Sequence, residues 1–240
     1  MNKLDAFKWP TFPEELVIGE LLKSSKEFQE FYQSQRKNIA CSFSWVKDSS
    51  LPEGIDFRRT ILPTGECVIR LRRVPAVIED ASKIAHELEH LVLDAEGFPA
   101  IGATIQFESL ASAINSMVAD LLVNARLANF GFNLHEDYER EIVESKRQLE
   151  GIAVPPANRI DRMHWMANYV SKLLDWELIS TSNSKGEFQV WFDTKYPDIA
   201  ERGKKLLAMV KRTGYDTPEK QAKLFREIIQ RYNLEGVLIF

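Results

Sequence analysis

The sequence predicts an α+β fold in which a small N-terminal antiparallel sheet is followed by a mostly helical part. Three segments, 39–47, 55–61 and 66–72, are short and rich in β-branched and aromatic residues, as strands are. From about Pro75 the apolar residues recur instead with the period of a helix. Strands early in the chain and helices late favour an α+β domain over alternating βα units.

Helices are predicted where apolar residues repeat every three or four positions. An amphipathic helix opens the chain from Pro13 to about Lys37. The helix that starts near Pro75 stops at Gly97, and a very apolar helix from about 106 to 130 stops at Gly131. Further helices are predicted over 136–150, 158–180, 196–213 and 218–232.

Two hairpins complete the predicted elements. Pro63 and Gly65, in LPTGE, predict a tight turn between the second and third strands. In the helical half, the aromatic segment 176–192 predicts a second short hairpin that turns at residues 184–186.

Composition and charge restrict the function classes. The 31 Lys and Arg residues face 35 Asp and Glu residues, so the net charge of −4 gives no reason to expect nucleic acid. The N-terminal residues lack the apolar core of a signal peptide, and no stretch suits a membrane span, so we expect a cytoplasmic protein. Cys41 and Cys67 form no C-x-x-C pair and are expected to be reduced core residues.

The helix that starts near Pro75 contains the motif HELEH, within KIAHELEHLVLDAEGFP. His86 and His90 are four residues apart, so one face of a helix presents both imidazoles to a single metal ion. A catalytic zinc needs three protein ligands and a water, whose pKa it lowers to about 7. Glu87 can accept the proton of that water. The motif thus supplies two ligands and a base, and a third ligand must come from elsewhere.

This region resembles the zincin metallopeptidases, whose signature is HExxH on an active-site helix preceded by a sheet with an edge strand along the cleft. IAHELEHLV follows the predicted strand ECVIRLRRV, and the resemblance covers about residues 55–130. It implies a zincin-like fold, a zinc ion on His86 and His90, Glu87 as general base, and a peptide lying extended along the edge strand. Zincins usually have uncharged residues at both x positions; Glu89 fills the second here, a departure that is tolerable if Glu89 points to solvent.

A carboxylate is expected as the third ligand, as in the gluzincin branch of the zincins, because no further histidine follows at the longer zincin spacing. Glu108 lies near the gluzincin spacing, but the helix dipole alone explains an acid in a first turn.

Asp120 is the only charge between Glu108 and Arg126, and a carboxylate among apolar residues is costly unless it is paired or metal-bound. Small polar residues also recur every four positions through Asp120, which predicts that it faces the histidine helix. INSMVADLLVNARLANFGF resembles the second helix of bacterial HExxH proteins with an acid at this place. We therefore prefer Asp120 to Glu108 as the third ligand. If Asp120 binds no metal, an ion pair with Arg126 would explain its presence among apolar residues.

Two other function classes use some of the same residues. Asp161 and His164 form a D-x-x-H pair which, beside the E-x-x-H pair of Glu87 and His90, is similar to the ligands of four-helix bundles that bind two iron or manganese ions. Against this class, the second pair starts with Asp, and His86 has no role in it. The other alternative is a non-catalytic zinc-binding protein that acts in regulation.

We expect a zinc-dependent metallopeptidase, a hydrolase in which His86, His90 and Asp120 bind the metal and Glu87 is the catalytic base. Its expected partner is a peptide or protein substrate, and neither nucleic acid nor a membrane is indicated. One zincin-like domain over 1–240 is expected, made of an N-terminal helix and sheet (1–75), metal-site helices (76–131) and a helical C-terminal part (132–240).

Overall fold

The computed structural model describes residues 10–51, 56–61, 66–179 and 184–240. Over these ranges the fold is α+β, as the sequence predicts. The chain divides into two compact units. The first contains the described residues up to Ala95 together with Phe130–Phe132, and the second contains Glu96–Asn129 together with Asn133–Phe240. Among the described residues, every helix falls short of the length or apolar character that a bilayer crossing requires.

The sheet of the first unit has four strands in the order β1-β2-β4-β3. They are β1 (Thr11–Phe12), β2 (Phe43–Lys47), β3 (Phe57–Ile61) and β4 (Cys67–Leu71). The predicted antiparallel sheet is wrong in one pairing, because β2 runs parallel to β4 while β1 with β2 and β3 with β4 are antiparallel. Side chains alternate in the same way in both kinds of pair, so periodicity did not distinguish them. The predicted turn at Pro63 and Gly65 lies outside the described residues.

The predicted opening helix is broken into shorter ones: α1 (Glu14–Ile18), α2 (Leu21–Ser24) and α3 (Lys26–Gln35). Ser25 adopts an extended conformation, and its hydroxyl accepts a hydrogen bond from the backbone N–H of Phe28 at 3.2 Å. Ser25 is therefore an N-cap, which ends one helix and begins the next. The apolar spacing continues across this break, so it did not reveal it.

Helix α4 (Ala81–Ala95) carries the HELEH motif, as predicted, and packs against α3 and β3. A short 3₁₀ turn precedes it, in which the buried carboxylate of Asp80 accepts hydrogen bonds from the backbone N–H of Val77 and from the Arg73 guanidinium, at 2.9 and 3.0 Å. Gly97, with φ of +85°, follows the helix at the predicted stop. Both ends of the motif helix are therefore defined by local interactions.

The second unit is mainly helical. Its helices are α5 (Glu108–Asn129), α6 (His135–Glu150), α7 (Arg159–Ile179), α8 (Ser184–Lys195), α9 (Pro197–Thr213) and α10 (Pro218–Arg231). Two short strands, β5 (Gly102–Ala103) and β6 (Leu238–Ile239), pair antiparallel. Helix α7 packs against both α5 and α9. All of these helices except α8 lie close to predicted positions.

The predicted hairpin over 176–192 is wrong, because α8 occupies Ser184–Lys195 and α7 extends to Ile179. Phe188 and Phe192, four residues apart, are both buried on one face of α8. The Phe192 ring stacks on Tyr169 of α7 with centroids 4.4 Å apart. Burial of aromatic rings at helical spacing outweighs the turn propensity at 184–186.

The two cysteines are free thiols in different surroundings. Cys67, in the central strand β4, is buried, as expected. Cys41 is exposed, so its expected place in the core is wrong. It lies before β2 rather than within it, and therefore does not share the buried face of that strand.

Candidate metal centre

His86 and His90 lie side by side on α4, each half-buried. Their Nε2 atoms are 3.1 Å apart, and the two rings meet edge to face with centroids 4.8 Å apart. One helical turn separates the two residues, which is why their side chains point to the same place. The predicted pairing of the two imidazoles is therefore present within the first unit.

The spacing of the two nitrogens suits a zinc ion. Two nitrogens that each lie about 2.05 Å from a tetrahedral zinc are roughly 3.3 Å from each other. The observed 3.1 Å is close to that value, and it joins the Nε2 atom of each ring. The donor type and the spacing of this pair fit a zinc site.

Glu87 is hydrogen-bonded to the sheet. Its Oε2 atom accepts from the backbone N–H of Arg59 in β3 at 2.8 Å. The order of the strands puts β3 at one end of the sheet, where its outer edge has no neighbouring strand among the described residues. The Arg59 guanidinium also pairs with Asp94 in the last turn of α4. These contacts hold the motif helix against the edge strand.

Sequence reasoning did not single out Arg59 as a site residue. Its contact to Glu87 uses a backbone N–H, which every residue except proline has, so the residue type carries no signal. The prediction of an edge strand before the motif helix was the only indication that backbone groups would lie nearby.

Glu89 does not point to solvent, which was the condition for a charge at this position of the motif, because its side chain is completely buried. Leu93, four residues further along α4, is buried on the same side. The sequence predicts one buried apolar face on α4, but the burial of Glu89 and Leu93 shows that more of the helix surface is covered. A carboxylate at this depth requires compensating interactions, so the second x position of this HExxH motif differs in chemistry from that of the zincins.

Asp120 belongs to the second unit and lies near the middle of α5. Met117, Val118 and Leu121 around it are fully buried, whereas Asp120 itself is half-buried. Its carboxylate is thus the one acidic group that this apolar part of α5 presents. The proposed structural partner of Asp120, Arg126, binds Glu96 through two hydrogen bonds of 3.0 and 2.6 Å.

Glu108, the competing ligand, is exposed in the first turn of α5. The helix dipole is a sufficient reason for an acid at this place. Among the described residues, Glu108 belongs to no group of three His, Cys, Asp or Glu side chains close enough to share a metal ion. The environment of Glu108 therefore gives no support to the prediction that it is a metal ligand.

The second pair of the di-metal alternative has local functions instead. The amide of Asn158 donates to Asp161, and the Asn158 side-chain oxygen accepts from the Asp161 backbone N–H at 2.8 Å, which caps the start of α7. Burial lowers the pKa of His164, so its imidazole is held in the neutral form. Within the described ranges, neither residue joins a group able to share a metal ion.

Comparison of this chain with protein-family models, with curated proteins and with solved structures found no match. The case for a metal centre therefore rests on the residues of this chain alone.

Proposed function

We propose that this protein is a zinc-dependent metallopeptidase in which His86, His90 and Asp120 hold the metal. The histidine pair carries the proposal, because its two Nε2 atoms have the spacing that a tetrahedral zinc requires. All three side chains are partly exposed, and each offers one ligand atom. Two imidazoles and one carboxylate are also the ligand types of a hydrolytic zinc site with an open position for water.

Glu87 is the proposed general base. Bound zinc would lower the pKa of a water and polarise a carbonyl oxygen. Glu87, adjacent to His86, then takes the proton of the attacking water and passes it to the leaving amine. Its half-buried carboxylate accepts one hydrogen bond, from the Arg59 N–H, which fixes where the carboxylate lies beside β3.

The outer edge of β3 is the proposed binding surface for an extended peptide. An edge strand offers backbone N–H and C=O groups to a further strand, and pairing of this kind recognises a peptide irrespective of its side chains. Because the Arg59 N–H in the middle of β3 already donates to Glu87, a peptide on this edge would lie beside the base and would have to share or replace that one contact.

A non-catalytic zinc protein is the second candidate, and two observations favour it. The Glu87 carboxylate is engaged by the Arg59 N–H, a contact that must loosen or be shared when a proton is transferred. Glu89, inside the motif, is a buried acid where zincins have an uncharged residue. Both are compatible with a motif that keeps zinc for structure or signalling.

Metal content tests the ligand set. The purified protein, dialysed against zinc and then against buffer, is expected to hold about one zinc per chain by elemental analysis. His90→Ala and Asp120→Ala should lose it, whereas Glu108→Ala and the control His135→Ala, a half-buried histidine at the start of α6, should retain it. Zinc retained by His90→Ala would refute the site. If Glu108→Ala lost zinc and Asp120→Ala kept it, Glu108 would be the third ligand instead of Asp120. Two irons per chain would point to the di-metal class.

Hydrolysis of a fluorogenic peptide library tests catalysis. Glu87→Gln keeps the shape of the side chain but removes the base, so it should keep zinc and lose activity by about 10² to 10⁴ fold. If the zinc-loaded wild-type protein cleaved no peptide, the peptidase would be refuted and the non-catalytic zinc protein would be the better assignment. Equal activity in Glu87→Gln and wild type would show that another group is the base.

A further inference from the structure

A cavity of about 390 Å³ lies within the second unit, between the first turn of α7, helix α9 and the residue that follows α10. Small-molecule sites typically measure roughly 300 to 1,000 Å³. The cavity combines charged and apolar walls. Its lining includes Arg159, Arg162, Met163, Met166, Arg202 and Tyr232. We call it the arginine pocket.

The charges of the arginine pocket are unbalanced. Arg162 pairs with Asp198, and the Nε atom of Arg202 lies 3.4 Å from the same carboxylate. Arg159 makes no hydrogen bond or ion pair with any residue that the structure describes. Three lining guanidinium groups against the Asp198 carboxylate leave two positive charges, which Asp161 in the first turn of α7 offsets in part.

The fold brings these like charges together. Arg159 and Arg162 are three residues apart on the first turn of α7, so they share one face, and α9 packs against α7 with Arg202 on it. The N-terminal end of a 21-residue helix adds a positive field, which Asp161 in the same turn partly offsets. Clustered guanidinium groups around a cavity repel one another, and a bound anion relieves this repulsion.

We propose that the arginine pocket binds a phosphate monoester. Such a group carries about −1.5 to −2 charges near pH 7, which matches the pocket, whereas a carboxylate carries only one. Guanidinium groups offer paired N–H donors that fit phosphate oxygens. The site is independent of the zinc site and of its proposed function.

The remaining walls fit the ester part of such a ligand. Met163 and Met166 form the floor of the pocket; both are buried beneath its surface, and their flexible thioether side chains can shift to make room for an apolar or aromatic group. Burial raises the pKa of Tyr232, so its hydroxyl stays protonated and can donate to a phosphate oxygen. The pocket therefore presents donors on one side and an apolar surface on the other.

Calorimetric titration of the 240-residue protein at constant ionic strength tests the ligand class. The probes are phenyl phosphate, inorganic phosphate and benzoate. Phenyl phosphate should bind most tightly, inorganic phosphate more weakly because it lacks the apolar part, and benzoate most weakly. Benzoate binding as tightly as phenyl phosphate would overturn the phosphate assignment, and so would the absence of binding by both phosphate probes. Inorganic phosphate binding as tightly as the ester would limit the site to free phosphate and refute the monoester.

Arg159→Gln tests the place of binding. Because Arg159 has no partner among the described residues, its replacement should leave the fold intact, which thermal unfolding can check. Loss of one charge-assisted contact should weaken phenyl phosphate binding about tenfold or more. The matched control, Arg140→Gln, removes an exposed arginine of α6 that pairs with Asp137. If Arg140→Gln weakened binding as much as Arg159→Gln, the ligand would be responding to the net charge of the protein. The assignment of its binding place to the arginine pocket would then be wrong.

Discussion

Cys41 and Cys67 show how the surroundings of a residue decide its chemistry. The sequence treats them alike, yet one is exposed and the other is buried in the central strand of the sheet. Burial raises the pKa of the Cys67 thiol to about 11. Because the thiolate is the reactive form, both access and ionisation protect Cys67.

Alkylation should therefore distinguish the two thiols. At pH 8 a thiol with a pKa near 11 is only about one part in a thousand thiolate. Native protein treated with N-ethylmaleimide should gain a single adduct, on Cys41, as measured by peptide mass spectrometry. Protein unfolded in urea provides the control, because both cysteines should then react. Equal labelling of Cys41 and Cys67 in the native protein would contradict the buried position of β4.

At the scale of secondary structure, helix ends marked by a glycine or a cap before proline were predictable, whereas the breaks in the opening helix and the strand partners were not. Gly97 and Gly131 have φ of +85° and +87°, and each follows the end of a helix that the sequence already placed. Thr217 caps α10, accepting from the Lys220 N–H at 3.3 Å, with Pro218 in the first turn. By contrast, the parallel pairing of β2 with β4 and the helical form of α8 depend on residues far away in the chain.

The close contact of α7 with α9 depends on a glycine. A Cβ atom at Gly203 would lie 2.6 Å from Cδ1 of the Tyr169 ring. That ring is held by its stacking on Phe192 and by the hydrogen bond from its hydroxyl to Asp193 at 2.7 Å. The ring therefore has little freedom to move aside.

Gly203→Ala is expected to destabilise the protein. Overpacking at this contact should cost about 1 to 3 kcal/mol, against a gain in helix propensity of at most about 1 kcal/mol. Urea unfolding should show a lower midpoint. The control is Gly186→Ala in α8, where no atom lies within 4 Å of the added Cβ and the propensity gain should remain. Equal stabilisation by both substitutions would refute the tight contact.

For the whole molecule, the proposed zinc site links metal binding to stability. A ligand that binds only the folded chain stabilises it by about 2.7 kcal/mol at one hundred times its dissociation constant. For a chain of 240 residues, each kcal/mol raises the melting temperature by roughly 2 to 4 °C. Zinc should therefore have an effect large enough to measure by thermal unfolding.

Saturating zinc is expected to raise the melting temperature of the metal-free protein by roughly 5 to 10 °C. A chelator should reverse the shift. His90→Ala should abolish it, because the imidazole pair is broken, while His135→Ala should keep it. A zinc-induced shift that survives in His90→Ala would mean that the metal binds elsewhere.

The sequence by itself determined the features that depend on near neighbours along the chain. A spacing of four puts His86 and His90 on one face of any helix, and the glycine that follows α4 stops it. The three longer strands and most helices were predictable for the same reason, since hydrophobic period and caps are local, whereas the two-residue strands β1, β5 and β6 are too short to show a period.

Only the tertiary structure decided which groups surround the motif. The burial of Glu89 depends on how many elements cover α4, and the hydrogen bond from Arg59 to Glu87 depends on how the edge strand packs beside it. The aromatic packing that makes residues 184–195 a helix is likewise set by Tyr169 on α7. Contacts between distant segments leave no periodic pattern in the sequence, because their free energy comes from burial in the assembled core.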